Sequence, residues 1–369
     1  MPLSFLDDFR RGDHVRALMN RLEKSAAALE RPVRIMEVCG THTMAISRHG
    51  IRQALPPNLK LISGPGCPVC VTANSDIDTF IEMALLPGVI ATTFGDMLRV
   101  PGTRMGLAEA RGRGARVQIV YSTLDALRLA RENPESKIIF FGIGFETTAP
   151  TIAAAIAEAS SSGLDNFLVL SAHKTVPRAL TALCSTPELA VDAFLCPGHV
   201  TAMIGPHAYD AVVADYGLPC VIAGFEPADI LQSLIMLCGQ LAVGRAEVAL
   251  QYTRGVRPDG NPTAMALLHQ VFSPCDAEWR GLGVIPGSGL AIRDEFAAHD
   301  AARHFQVDAG YSHEPRGCLC GAILTGLKTP GECGLFGKAC TPDHPVGPCM
   351  VSSEGTCAAY YLYETNDVL

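Results

Sequence analysis

No apolar run in this sequence approaches the roughly 18 residues that a membrane span needs. The opening residues Met1 to Arg21 carry Asp7, Asp8, Arg10, Arg11 and Asp13, where a secretory signal would be apolar. A cytoplasmic protein without membrane contact is expected. Basic excess is also missing, since 29 Lys and Arg stand against 37 Asp and Glu for a formal net charge of -8. Surfaces that track phosphates need the opposite sign, so nucleic acid is excluded as the main partner. The densest basic run, Arg111, Arg113 and Arg116, reads as a solvated stretch between a helix and a strand. There is no Walker A sequence, and Gly142-Ile-Gly and Gly287-Ser-Gly fall short of a dinucleotide fingerprint, which leaves nucleotide binding poorly supported.

What the chain does have is cysteine: fourteen in all, six of them in the last 52 residues. In a reducing compartment such clusters point to metal binding or catalysis and not to a disulfide scaffold. With 369 residues and 48% apolar composition the chain is large enough for two or three domains. Near-continuous apolar runs recur at Val33–Val38, Leu59–Ser63, Gly88–Thr93, Arg116–Tyr121, Lys137–Ile143, Asn166–Ser171, Asp192–Cys196 and Pro219–Ala223. Strands buried on both faces of a parallel sheet have this character, so the class is α/β. Two Rossmann-like parallel-sheet lobes are expected at 30–145 and 146–245, with residues 1–29 and 246–369 forming a cysteine-rich iron–sulfur domain. A long helix is expected over Ala228–Ala249, and the N-terminal helix, Phe5 to about Leu29, is expected to pack on the cysteine-rich region. Gly-Phe-Glu occurs at 144–146 and again at 224–226, hinting at two related lobes.

Several runs end in glycine or small polar clusters, where the ligand crevice of an open α/β sheet lies. Gly64-Pro-Gly-Cys67-Pro-Val-Cys70 sets a C-x-x-C pair between a strand and a helix expected over Val71–Leu85. A helix N-terminus lowers a thiol pKa, and no second C-x2-C pair exists to complete a zinc site, so a redox dithiol is the natural assignment. Cys39-Gly-Thr-His42-Thr closes the first strand in the same way. Three thiols at adjoining strand ends could hold one soft metal and supply electrons to it. Asp96, His199, Glu146 and Glu226 also sit at strand ends, where each alone reads as a cap or turn residue and together they would give the cleft acid–base groups; His173 is less convincing. The tail runs Cys318-x-Cys320-x12-Cys333-x6-Cys340-x8-Cys349-x7-Cys357. Four thiolates can hold an iron–sulfur cluster and two can form a redox pair, but spacing alone does not choose the four, and zinc competes. Cys184, Cys196, Cys220, Cys238 and Cys275 are assigned to packing.

Cys39-Gly-Thr-His-Thr, Gly64-Pro-Gly-Cys-Pro-Val-Cys, Pro197-Gly-His-Val and Gly347-Pro-Cys-Met-Val-Ser-Ser-Glu-Gly-Thr-Cys together resemble the motifs of the HypD family of hydrogenase maturation factors, over residue 30 to the end. The resemblance implies a redox-active scaffold on which the Fe(CN)2CO centre of nickel–iron hydrogenase is assembled. It implies that Cys39 ligates that iron, shared with a small HypC-type chaperone, and that Cys67 and Cys70 are the redox pair. It also implies a 4Fe-4S cluster on Cys318, Cys333, Cys340 and Cys357, with Cys320 and Cys349 as a second dithiol. His42, Asp96, His199 and Glu354 match polar family positions, and a HypE-type protein would donate the cyano group. A soft thiolate suits low-spin, electron-rich iron. The competing assignment is a cluster-dependent thiol/disulfide oxidoreductase acting on a protein substrate. Electron relay further requires the tail to fold back toward the C-x-x-C pair.

Overall fold

The computed structural model describes residues 9–186 and 189–364. Its strands are β1 (Val33–Glu37), β2 (Leu59–Ser63), β3 (Val89–Thr93), β4 (Arg116–Ile119), β5 (Lys137–Gly142), β6 (Phe167–Ser171), β7 (Ala193–Pro197), β8 (Cys220–Ala223), β9 (Val248–Leu250), β10 (Phe272–Trp279) and β11 (Gly283–Ile292). The helices that frame the site are α1 (Gly12–Ala27), α2 (Gly40–Arg48), α3 (Pro68–Val71), α4 (Asn74–Ala84), α5 (Val176–Cys184), α6 (Gly198–Ile204), α7 (Pro227–Ala242), α8 (Pro262–Val271), α9 (Cys320–Leu324) and α10 (Thr356–Tyr363). Strands β1 to β8 coincide with the apolar runs, because only a sheet covered on both faces tolerates such continuous hydrophobicity.

Two parallel sheets form, in the orders β2-β1-β7-β8-β9 and β4-β3-β5-β6. This pairing corrects the expected boundaries at 30–145 and 146–245. The chain lays down β1 and β2, leaves to build the whole second sheet, and returns so that Ile35 pairs with Ala193. Apolar runs identify strands but carry no register to a distant partner, which is why the interruption was invisible. Both sheets place their first four strands in the same order, second-first-third-fourth. The topology thus supports two related units. The repeated tripeptide does not mark equivalent points, for it follows the third strand of one sheet and the fourth of the other.

Three helix expectations also shift. α7 stops at Ala242 because Gly244 adopts φ +62°, a left-handed turn that ends the helix, and Val248–Leu250 then joins the first sheet as its edge. The segment after Cys70 is two helices, α3 and α4, not one. The N-terminal helix packs through Leu18 and Leu22 on Ile230, Leu234 and Leu237 of α7, so it belongs with the first sheet and not with the cysteines. The antiparallel β10–β11 hairpin was not anticipated. Its fully buried Arg280 donates to Thr72 O, Asn74 and Glu314, pinning the hairpin to the end of the C-x-x-C helix.

Candidate redox and metal site

The carboxyl ends of β1, β2, β7 and β8 lie side by side in the first sheet, and the loops leaving them converge. Cys39 is the N-cap of α2 and only 1% exposed. Gly40 N donates to Gly66 O at 3.0 Å, stitching the two cysteine loops together. A Cβ on Gly66 would stand 2.1 Å from Cys39 N, so no other residue permits this approach. Cys39 Sγ lies 3.8 Å from His199 Nδ1. Thr41 Oγ1 donates to Glu354 Oε1 at 2.6 Å, which brings the tail over the Cys39 turn.

Burial sets the protonation states here. It pushes the Cys39 thiol up to about 12, with Glu354 and Glu37 adding like charge, so this cysteine stays protonated until a cation arrives. Burial holds His42 down at about 4 and His199 at about 4, leaving both neutral. His42 Nε2 donates to Gly224 O at 2.9 Å, an assignment made from the carbonyl partner, so its buried Nδ1 is a bare acceptor with no partner. Both rings pack on Phe225. Glu37, at 0% exposure, was missed by sequence reasoning. It accepts from Thr43 Oγ1 at 2.7 Å, and burial pushes it up to about 7. An acid directly after the apolar pair Ile35-Met36, at the buried end of β1, was the available signal.

The C-x-x-C pair is enclosed, Cys67 at 3% and Cys70 at 0% exposure. The expected helix-terminus lowering fails for Cys70. α3 has only four residues, and burial pushes this thiol well above its ordinary value. Cys70 borders Cys67 on one side and Cys349 on the other. Cys349 Sγ in turn lies 2.8 Å from Cys320 Sγ, and Cys320 borders Cys318. An unbroken row of sulfurs therefore joins the C-x-x-C pair to the tail.

The six tail cysteines line one small cavity, otherwise walled by apolar side chains such as Leu335, Phe336 and Met350. Cys357 is surrounded by Cys318, Cys340 and Cys333. A Cβ on Gly347 would fall 2.7 Å from Cys318 Sγ, and Val346 N donates to Cys340 Sγ at 3.3 Å. Among the described residues no three His, Cys, Asp or Glu side chains are grouped to hold a single ion. Thiols spread round an apolar box fit a polynuclear cluster, where each iron takes one thiolate, and its sulfurs accept backbone N–H groups.

The structure therefore brings Cys39, His42, His199, Cys67, Cys70 and Glu354 together, with Cys320 and Cys349 leading to Cys318, Cys333, Cys340 and Cys357. Asp96 lies on the turn after β3 in the second sheet, and no hydrogen bond or ion pair joins it to these groups among the described residues. Arg99 of the same turn donates to Val351 O at 2.9 Å, so the turn abuts the tail instead. Glu226 is the N-cap of α7. His173 is buried in the second lobe with its Nδ1 2.9 Å from Ser171 Oγ. Of the packing cysteines, Cys196 of β7 and Cys220 of β8 are neighbours in the first sheet, with Cys184 at the end of α5 beside them.

Glu146 accepts from Val176 N at 3.0 Å at the start of α5, and burial pushes its carboxyl from 4.5 up to about 7. The folded chain keeps this proton across that window while the unfolded chain loses it, so Glu146 costs stability as pH rises from 4.5 to about 7. Glu146→Gln removes the titration. Its stability relative to the parent should rise by about 3 kcal/mol from the acid end of the window to above it, read from urea midpoints at both pH values.

A family model described as "HypD: Hydrogenase formation hypA family" matches residues 13–364. The "Hydrogenase maturation factor HypD" of Azotobacter vinelandii is 49% identical over 98% of this chain and 97% of its own length. The proteins of the same name from Rhodobacter capsulatus and Escherichia coli (strain K12) are 46% and 45% identical, covering 98% and 99% of this chain and the same shares of their own.

Proposed function

This chain belongs to the HypD family, and from that premise we propose that it assembles the Fe(CN)2CO centre of nickel–iron hydrogenase on Cys39. Its role in hydrogenase maturation follows from the family. The observation that supports the finer assignment is the sulfur row from the tail cavity through Cys320, Cys349 and Cys70 to Cys67, ending beside the loop of Cys39.

The iron is the cargo. On loading, Cys39 gives up its proton, and neutral His199 Nδ1, 3.8 Å from the sulfur, is the nearest acceptor. Glu354, bonded to Thr41, holds the tail over this point and keeps water out. Delivering an incoming cyano group to iron as cyanide needs electrons. The Cys67/Cys70 dithiol supplies two, releasing two protons as its disulfide forms. Cys349 as thiolate then attacks the Cys70 sulfur and expels Cys67, Cys320 attacks the Cys349 sulfur and expels Cys70, and the two protons given up by Cys349 and Cys320 restore the C-x-x-C pair as a dithiol beside a Cys320–Cys349 disulfide. Cys318, Cys333, Cys340 and Cys357 would hold a 4Fe-4S cluster, which would pass on one at a time the two electrons of an external reductant that, with two protons, reopen the Cys320–Cys349 disulfide.

The alternative, a thiol oxidoreductase for protein substrates, is less well supported: Cys67 and Cys70 are too enclosed to meet a disulfide on another protein. A HypC-type chaperone and a HypE-type cyanide donor are the proposed partners, in the cytoplasm. No described helix is long and apolar enough to cross a membrane. The relay is tested by Cys349→Ser. In the parent, anaerobic dithionite should return an oxidised Cys67–Cys70 pair to thiols, as alkylation and mass spectrometry read it. In the variant the pair should stay oxidised while the cluster still bleaches; equal recovery in both would remove Cys349 from the path.

A further inference from the structure

We propose that the cleft between the β2 edge of the first sheet and the cysteine-rich tail binds a small oxyanion, a phosphate or carboxylate group carried on an apolar body. The cleft has about 760 Å3 of empty space. Its floor is Leu59–Ser63, its far wall runs through Gly326–Pro330, and Thr356 and Tyr360 of α10 close one end. Among the described residues no cysteine lines it.

Charge identifies the ligand class. Arg34, Arg52, Lys60 and Lys328 all line the cleft. Two are already matched, Arg52 by Glu364 at 3.2 Å and Lys328 by Glu332 at 2.8 Å. Arg34 and Lys60 have no carboxylate partner among the described residues. In a chain of net charge -8, two unmatched cations in one concavity reverse the local sign.

Geometry sharpens this. Arg34 Nη2 donates to Gly326 O at 3.1 Å, which fixes the guanidinium at the seam between the sheet and the tail. An oxyanion presents oxygens in the fork geometry that a guanidinium recognises. Leu55, Leu59 and Leu327 supply apolar wall beyond the cations, which is why the preferred ligand carries an apolar body.

The position gives the site a consequence. Ile323 is a wall of both this cleft and the six-cysteine cavity. An anion touching Arg34 and Lys60 on the sheet and Lys328 on the tail would clamp the tail to the sheet one side chain from the sulfurs.

The test titrates the full-length, cluster-loaded protein at low ionic strength with inorganic phosphate, butyl phosphate and butyrate, followed by calorimetry. One-to-one binding is expected, tighter for an alkyl-bearing probe than for inorganic phosphate; whether butyl phosphate or butyrate binds more tightly tells the two headgroups apart. Arg34→Gln with Lys60→Gln should weaken binding about tenfold or more, while Lys137→Gln on β5 of the second sheet should leave it unchanged. Lys60→Gln alone, at an exposed residue whose loss does not threaten the fold, must also weaken it. The bound probe should slow alkylation of Cys320 and Cys349 in the parent. Absence of saturable binding by all three probes, or affinities unchanged in the Lys60→Gln protein, overturns the proposal.

Discussion

Cys39→Ala should abolish retention of the cyanide-bearing iron outright. The anaerobic complex with its HypC-type partner should then show none of the infrared absorptions of bound cyanide and carbon monoxide that the parent complex shows. The loss should be complete because Cys39 is the sulfur at the head of α2, and the nearest polar neighbour, His199, is 3.8 Å from it and cannot replace an anionic ligand. Dithiol cycling at Cys67 and Cys70 should continue, since their neighbours lie on the Cys349 side. A variant that keeps the infrared bands would place the iron elsewhere, whatever the state of the dithiol.

Gly66→Ala should be nearly as damaging although it removes no functional group. The added Cβ would lie 2.1 Å from Cys39 N and 2.4 Å from its Cα, both backbone atoms that cannot swing aside. The two cysteine loops must separate, and the bond from Gly40 N to Gly66 O is lost with them. Overpacking of this kind costs about 3 kcal/mol, so the thermal midpoint should drop by several degrees and iron retention at Cys39 should fall while the iron content at Cys318, Cys333, Cys340 and Cys357 is unchanged. Wild-type midpoint and full retention in this variant would show that the loop contact is dispensable.

How much of this was readable beforehand depended on the kind of interaction. β1 to β8 were legible because a strand covered on both faces must be apolar at successive positions. Convergence of Cys39 with the C-x-x-C pair was legible too, as both close strands of a parallel sheet. The pairing of Ile35 with Ala193 was not, since register between distant strands is a property of the packed whole. Asp96 shared the strand-end signal with His199 but belongs to the other sheet, and sequence alone could not assign sheets. β10 hid behind Pro274 and Asp276, residues that argue against a strand except at a bulge or an edge; a register shift between Cys275 and Ala277 is where the structure accommodates them. The enclosure that lifts the Cys70 thiol comes from a tail nearly three hundred residues away.

The interrupted first sheet has a consequence for the order in which the protein comes into being. Cys39, Cys67 and Cys70 are made early, yet β1 waits for β7, and Cys39 waits for His199, until the chain has reached the end of α6. At ordinary synthesis rates the wait is on the order of 10 to 30 s. During it the four strands of the second sheet, contiguous in sequence, are all made, while three soft thiols sit on an unfinished edge. The half-made chain therefore presents no enclosed pocket in which stray copper or zinc could be trapped. Closure by β7 comes next, and the tail sulfurs arrive last, so the turn of Cys39 is closed before the row of sulfurs is complete.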